Sequence, residues 1–72
     1  MHTPTRHDEI DAFSIGTFIT RHEISRAYLY QLWDEGIGPR YMQLGRRRLI
    51  SREAAAEWRR KMEAATAAAS AQ

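Results

Sequence analysis

Apolar side chains become regular only at Phe13, and their spacing then changes several times along the chain. Phe13 and Ile15 alternate with Ser14, and Gly16 with Thr17 gives a turn or helix-start signal. Phe18, Ile19 and His22 follow at helical spacing, which predicts a short helix over residues 17–22. Ile24 precedes Ser25, a favourable N-cap, and an unbroken pattern over residues 26–35 predicts a second helix stopped by Gly36. Only about residues 22–24 separate the two. Helices joined so tightly must cross steeply, which is helix-turn-helix geometry.

Gly36, Gly38 and Pro39 break the pattern. Beyond them Arg40-Tyr41-Met42-Gln43-Leu44 alternates polar and apolar side chains, and Arg48-Leu49-Ile50 can pair back against it. Gly45 tolerates positive φ where the chain reverses, so a β-hairpin is expected with Gly45, Arg46 and Arg47 at its tip. Ser51 caps a third helix, with Glu53 near its positive dipole end. Ala54, Ala55, Trp58 and Met62 form its apolar stripe, and Arg59, Arg60 and Lys61 ride on its later turns. Residues 64–72 are alanine-rich with nothing large to bury, so a frayed tail or a partner-dependent helix is expected there. Residues 1–12 hold Pro4, His2, His7 and alternating charges without an apolar period, and read as a flexible arm. The expected architecture is one domain over residues 13–63, mainly α with a small β-hairpin.

At 72 residues there is room for a single core. With 43% hydrophobic and 28% charged residues, the chain is too apolar for full disorder. The lack of cysteine excludes disulfides, thiolate zinc sites and cysteine nucleophiles. His2 and His7 find no third ligand at suitable spacing, so no metal or other cofactor is expected. No apolar run approaches the ~20 residues that span a bilayer. Asp8, Glu9 and Asp11 in the polar N-terminus argue against a secretory signal, and the expected compartment is the cytoplasm.

Charge changes the picture more than composition does. Residues 1–35 carry three arginines against six carboxylates, residues 36–52 carry five arginines and no acid, and residues 53–72 balance. All unbalanced positive charge thus sits in one stretch, as Arg40, Arg46, Arg47, Arg48 and Arg52. Such a cluster favours a polyanionic partner. Adjacent arginines at a hairpin tip repel one another unless an anion is near, which favours phosphate or minor-groove contact over a merely solvated loop.

Winding the second helix at about 100° per residue puts Ser25, Leu29, Leu32 and Trp33 on one face, where they can close a core with Ile24 and Phe18. Trp58 and Met62 are expected to join that core. Ala27, Tyr30, Gln31 and Asp34 lie opposite, with Arg26 and Tyr28 on the flanks. An ordinary surface helix would fill its outward face with Glu and Lys. Here Arg26, Ala27, Tyr30 and Gln31 offer a fork donor for guanine, an amide for adenine, and small or aromatic surface for a thymine methyl. Tyr28 and Tyr30 read either as packing residues or as stacking platforms. Arg59, Arg60 and Lys61 read either as a complement to their helix dipole or as anion contacts.

The segments ISRAYLYQLWDEG (residues 24–36) and GPRYMQLGRRRLISREAAAEW (residues 38–58) resemble the excisionase, AlpA and MerR-like families of winged helix-turn-helix proteins. The resemblance covers residues 13 to about 62. It implies three helices plus a wing, with the second helix in the major groove through Ser25, Arg26, Ala27, Tyr30 and Gln31. It places the hairpin against an adjacent minor groove and its phosphates through Arg46, Arg47 and Arg48, with Arg40 beside them. Ala27 stands where a hydroxyl is common in these families. No long coiled coil or effector domain follows the third helix, so the expected class is a free-standing excisionase, or recombination directionality factor, of a mobile element. Its expected partners are double-stranded DNA, further copies of itself placed head to tail, and a site-specific integrase. One such module reads few bases, so specificity would come from several copies that bend the duplex. An AlpA-like transcription regulator and a protein–protein module remain alternatives. An enzyme finds little support, because His22-Glu23 is the only adjacent base–acid pair and no phosphate-cradling glycine loop exists.

Overall fold

Three serines start the three helices. Ser14, Ser25 and Ser51 stand in extended backbone, and their hydroxyls accept from the amides of Thr17, Tyr28 and Ala54 at 3.2, 3.0 and 3.0 Å. Each satisfies an amide that the first helical turn leaves without a partner. The computed structural model describes residues 10–71. Its elements run β1 (Ala12–Ser14), α1 (Ile15–His22), α2 (Arg26–Asp34), β2 (Met42–Leu44), β3 (Arg47–Ser51) and α3 (Arg52–Ser70). The chain forms a small α/β domain of three helices and one three-stranded antiparallel sheet, ordered β1-β3-β2.

Left-handed residues end the first two helices. Glu23 at φ 56° closes α1, with the Ile24 amide donating to Ile19 O at 3.1 Å. Gly36 at φ 76° closes α2, with the Ile37 amide donating to Leu32 O at 3.0 Å. In the sheet, Leu44 pairs with Arg47, which leaves Gly45 and Arg46 as a two-residue turn. Positive φ at Gly45 (63°) and not at Arg46 is the pattern of a type II′ turn, which suits the twist of a hairpin.

Phe13, Phe18, Leu29, Ile50, Ala54 and Ala55 make the core, and Leu32 is also buried. His22 stacks on Phe18 at 4.0 Å, and Phe13 and Trp58 meet its ring edge-on. Its Nδ1 lies 2.9 Å from Phe18 O, an atom that only accepts, and its Nε2 lies 3.0 Å from the Arg59 guanidinium, which only donates. The ring is therefore the Nδ1–H tautomer and links α1 to α3.

Several expectations need correction. Ala12, assigned to the arm, pairs with Ser51 in β1, Ile10 packs on the core, and the Arg52 amide donates to Asp11 O at 2.8 Å. The remainder of the proposed arm, with His2 and His7, lies outside the described residues. Helix α1 begins two residues before Thr17 because Ser14, not Gly16 or Thr17, supplies the cap. Ser25 faces solvent as a cap rather than joining the core. Trp33, Trp58 and Met62 sit half-buried at the rim of the core. The alanine-rich segment continues α3 to Ser70, exposed throughout. Among the described residues no helix is long and apolar enough to cross a membrane.

The two indoles hold the link between α2 and β2. Trp33 Nε1 donates to Pro39 O at 2.7 Å, and Trp58 Nε1 donates to Ile37 O at 2.9 Å. Gly38 lies flat against the Trp33 ring, so an added Cβ would fall 2.8 Å from Nε1 and closer still to Cδ1. Because the ring is tied to Pro39, it cannot simply swing away. Gly38→Ala is expected to destabilise the fold by about 1–3 kcal/mol, read from the urea midpoint at unchanged m-value. Wild-type stability in that variant would show the indole free to move.

Candidate nucleic-acid interface

The sheet alternates sides with a period of two, so Ile50, buried in the core, puts Arg48 on the same face of β3. That face looks onto α2. The Arg48 guanidinium lies 4.7 Å from the ring centre of Tyr41, 5.0 Å from Trp33 and 5.3 Å from Tyr30. Trp33 meets Tyr30 edge-on at 5.2 Å and Tyr41 at 4.8 Å. The three rings thus form a box around one cation, and all three distances fall inside cation–π range.

Beside the box is a cleft of about 320 Å³, lined by Ser14, Ile15, Gly16, Arg26, Tyr30, Arg46, Arg47 and Arg48. It brings the first turn of α1, the first two turns of α2 and the hairpin tip to one place. Among the described residues no carboxylate lies within ion-pair distance of Arg26, Arg46, Arg47 or Arg48. Four arginines line this cleft beside the start of α1, and among the described residues none of them has a carboxylate partner. Both features draw an anion.

The residues proposed from sequence divide into four sets. Arg26, Tyr30, Arg46, Arg47 and Arg48 line the cleft. Ala27 and Gln31 are exposed on α2 outside it, and the Gln31 amide is held by Glu35 Oε2 at 3.0 Å. Ser25 is occupied as the α2 cap. Arg40 stands apart. It donates to both carboxylate oxygens of Glu57 on α3, at 3.0 and 3.4 Å, and the Lys61 ammonium lies 3.6 Å from Glu57 Oε1. It does not line the cleft, and it shares the Glu57 carboxylate with Lys61.

No protein-family model, curated protein or solved structure matches the chain. The site therefore rests on its own geometry. Ser14, Ile15 and Gly16 were not singled out from the sequence as site residues. The available signal was Ser14 three residues ahead of Thr17, whose side chains bond at 3.1 Å and mark a helix start. Tyr41 and Trp33 were also missed as partners of Arg48, because their meeting depends on strand pairing.

The Arg40 guanidinium, donating to Glu57, holds that carboxyl below the usual carboxylate range, and the charges of Arg40 and Lys61 add to the effect. Since the folded value lies below the unfolded one, the pair stabilises the fold fully above the unfolded value. Its contribution is lost as pH falls through the lower folded value. Glu57→Gln is therefore expected to flatten the acid limb of stability against pH, measured by thermal unfolding between neutral pH and pH 3. An unchanged acid limb would show that Arg40 and Glu57 do not interact in solution.

Proposed function

We propose that the chain binds double-stranded DNA as a winged helix-turn-helix module, with α2 in the major groove and the β2–β3 hairpin as the wing. The carrying observation is the cleft where Arg26, Arg46, Arg47 and Arg48 meet without a carboxylate partner among the described residues. A duplex offers closely spaced phosphates to such a cleft, and neutralising them releases counterions. Arg26 and Tyr30 sit where α2 and the hairpin adjoin, so a helix entering a groove by its N-terminus would bring the hairpin to the neighbouring backbone.

Within this reading the chain acts as an excisionase-like recombination directionality factor. Several copies on adjacent sites bend attachment-site DNA and favour the excisive complex of an integrase. Contacts between copies need surfaces outside the cleft, and two are present. One is a groove of about 570 Å³ between α2 and α3, lined by Tyr28, Leu32, Trp58, Met62, Ala65 and Ala69 among others. The other is the outer face of the hairpin, where Met42 and Leu44 are 43% and 55% exposed. The same arrangement over a promoter makes an AlpA-like transcription regulator. Gel shifts on duplexes of increasing length separate the two, since stepwise cooperative filling belongs to an arraying factor and a single step to a simple repressor.

Fluorescence anisotropy with labelled duplexes at several salt concentrations tests the DNA reading. Arg46→Ala combined with Arg47→Ala is expected to weaken binding to all sequences. It should reduce the slope of log K against log salt by about 0.9 for each phosphate lost. Salt-independent binding, or none, would favour a protein–protein module built on the α2–α3 groove.

Base contacts are read differently. Arg26→Ala or Gln31→Ala is expected to narrow the gap between target and random duplexes by about 1–3 kcal/mol each. Gln31 must release Glu35 to do so. An equal loss on both duplexes would make these residues phosphate contacts.

A further inference from the structure

We propose that Arg48 is a positioning residue rather than a phosphate contact: its guanidinium stays in the Tyr30–Trp33–Tyr41 box in the free and DNA-bound protein and fixes the hairpin against α2. The inference rests on the DNA reading above and reassigns one of its arginines. Three observations carry it.

Arg48 is the one arginine of the cleft that is half-buried, while Arg26, Arg46 and Arg47 are exposed. Its guanidinium has a ring within 5.3 Å on three sides, drawn from α2 (Tyr30 and Trp33) and from Tyr41, just ahead of β2. A cation in such a box gains attraction from each ring face and has shed part of its water. A planar guanidinium also stacks on rings as a compact ammonium does not. Finally, the box is itself anchored, because Trp33 is tied to Pro39 and backed by Gly38.

The consequence is geometric. β2 and β3 form a short hairpin with Gly45 at its turn, and Arg46, Arg47 and Arg48 line the cleft beside α2. Among the described residues, Arg48 is the one of the three whose side chain has an attractive partner on α2. Leaving the box to meet a phosphate would uncover three rings and release the hairpin at the moment its position matters. Arg26, Arg46 and Arg47 are then the groups left to take phosphates.

The test uses the whole chain and NMR of the Arg48 side chain, with Arg48→Met and Tyr41→Leu as variants. In the free protein, the Arg48 δ-methylene protons should be shifted upfield by the rings, and Tyr41→Leu should reduce that shift. Order parameters at Gly45, Arg46 and Arg47 should fall from about 0.85 to about 0.6 or less in both variants. Saturation with duplex DNA at low salt should leave the upfield shift in place. Arg48→Met should weaken duplex binding roughly threefold to thirtyfold with an unchanged salt slope, whereas Arg47→Ala should lower the slope by about 0.9. Loss of the upfield shift on adding DNA, together with a slope lowered by Arg48→Met, would overturn the proposal and make Arg48 a phosphate contact. Hairpin order unchanged in both variants would overturn it too. If the wild-type chain binds no duplex at any salt, the DNA reading fails, and the free-protein order parameters still decide whether Arg48 holds the hairpin.

Discussion

Everything at the candidate interface depends on the register of β3. Phe13 pairs with Ile50 across one edge and Met42 pairs with Leu49 across the other. With Ile50 buried among Phe13, Phe18 and Leu29, the two-residue period of the strand sends Arg48 toward α2 and Leu49 to the opposite face. A slip of one residue would bury Leu49 and carry Arg48 to the far side, away from Tyr30 and Trp33. The core thus sets where the cation points, and burial of one isoleucine decides the electrostatics of a site two residues along.

Two kinds of arginine occur among the described residues, set apart by geometry and not by residue type. Arg40 pairs with Glu57 at 3.0 Å, and Arg59 serves the core by donating to His22. Arg26, Arg46, Arg47 and Arg48 meet no carboxylate among the described residues and share one cleft. Arginines that share one surface without a carboxylate partner draw an anion. Arg48 is held there by its three rings.

Much of the local structure was legible in the sequence because it is written by nearby residues. Ser25 and Ser51 cap helices, Gly36 ends α2 in left-handed backbone, and Gly45 opens the hairpin turn, each through bonds spanning five residues or fewer. Features made by distant residues were not legible. β1 exists because Phe13 meets Ile50, thirty-seven positions on, and a three-residue segment has no period of its own to announce that pairing. Arg40 looked like part of one basic run until the fold carried Glu57 to it across seventeen positions. Trp33 read as core from its helical phase, but the return of β2 places Tyr41 and Arg48 over its exposed side. The clustering of Arg46, Arg47 and Arg48 on one side with Arg26 could be read, whereas the addition of the start of α1 to that surface could not.

The central claim is that the hairpin tip, the start of α1 and the first turns of α2 form a single surface for duplex DNA. Backbone amide shifts recorded while a short duplex is titrated into labelled protein test it most directly. The account predicts that the largest changes fall together on Gly16, Arg26, Tyr30, Arg46 and Arg47. Changes confined to the α2–α3 groove around Met62 and Ala65, or none at saturating duplex, would contradict it.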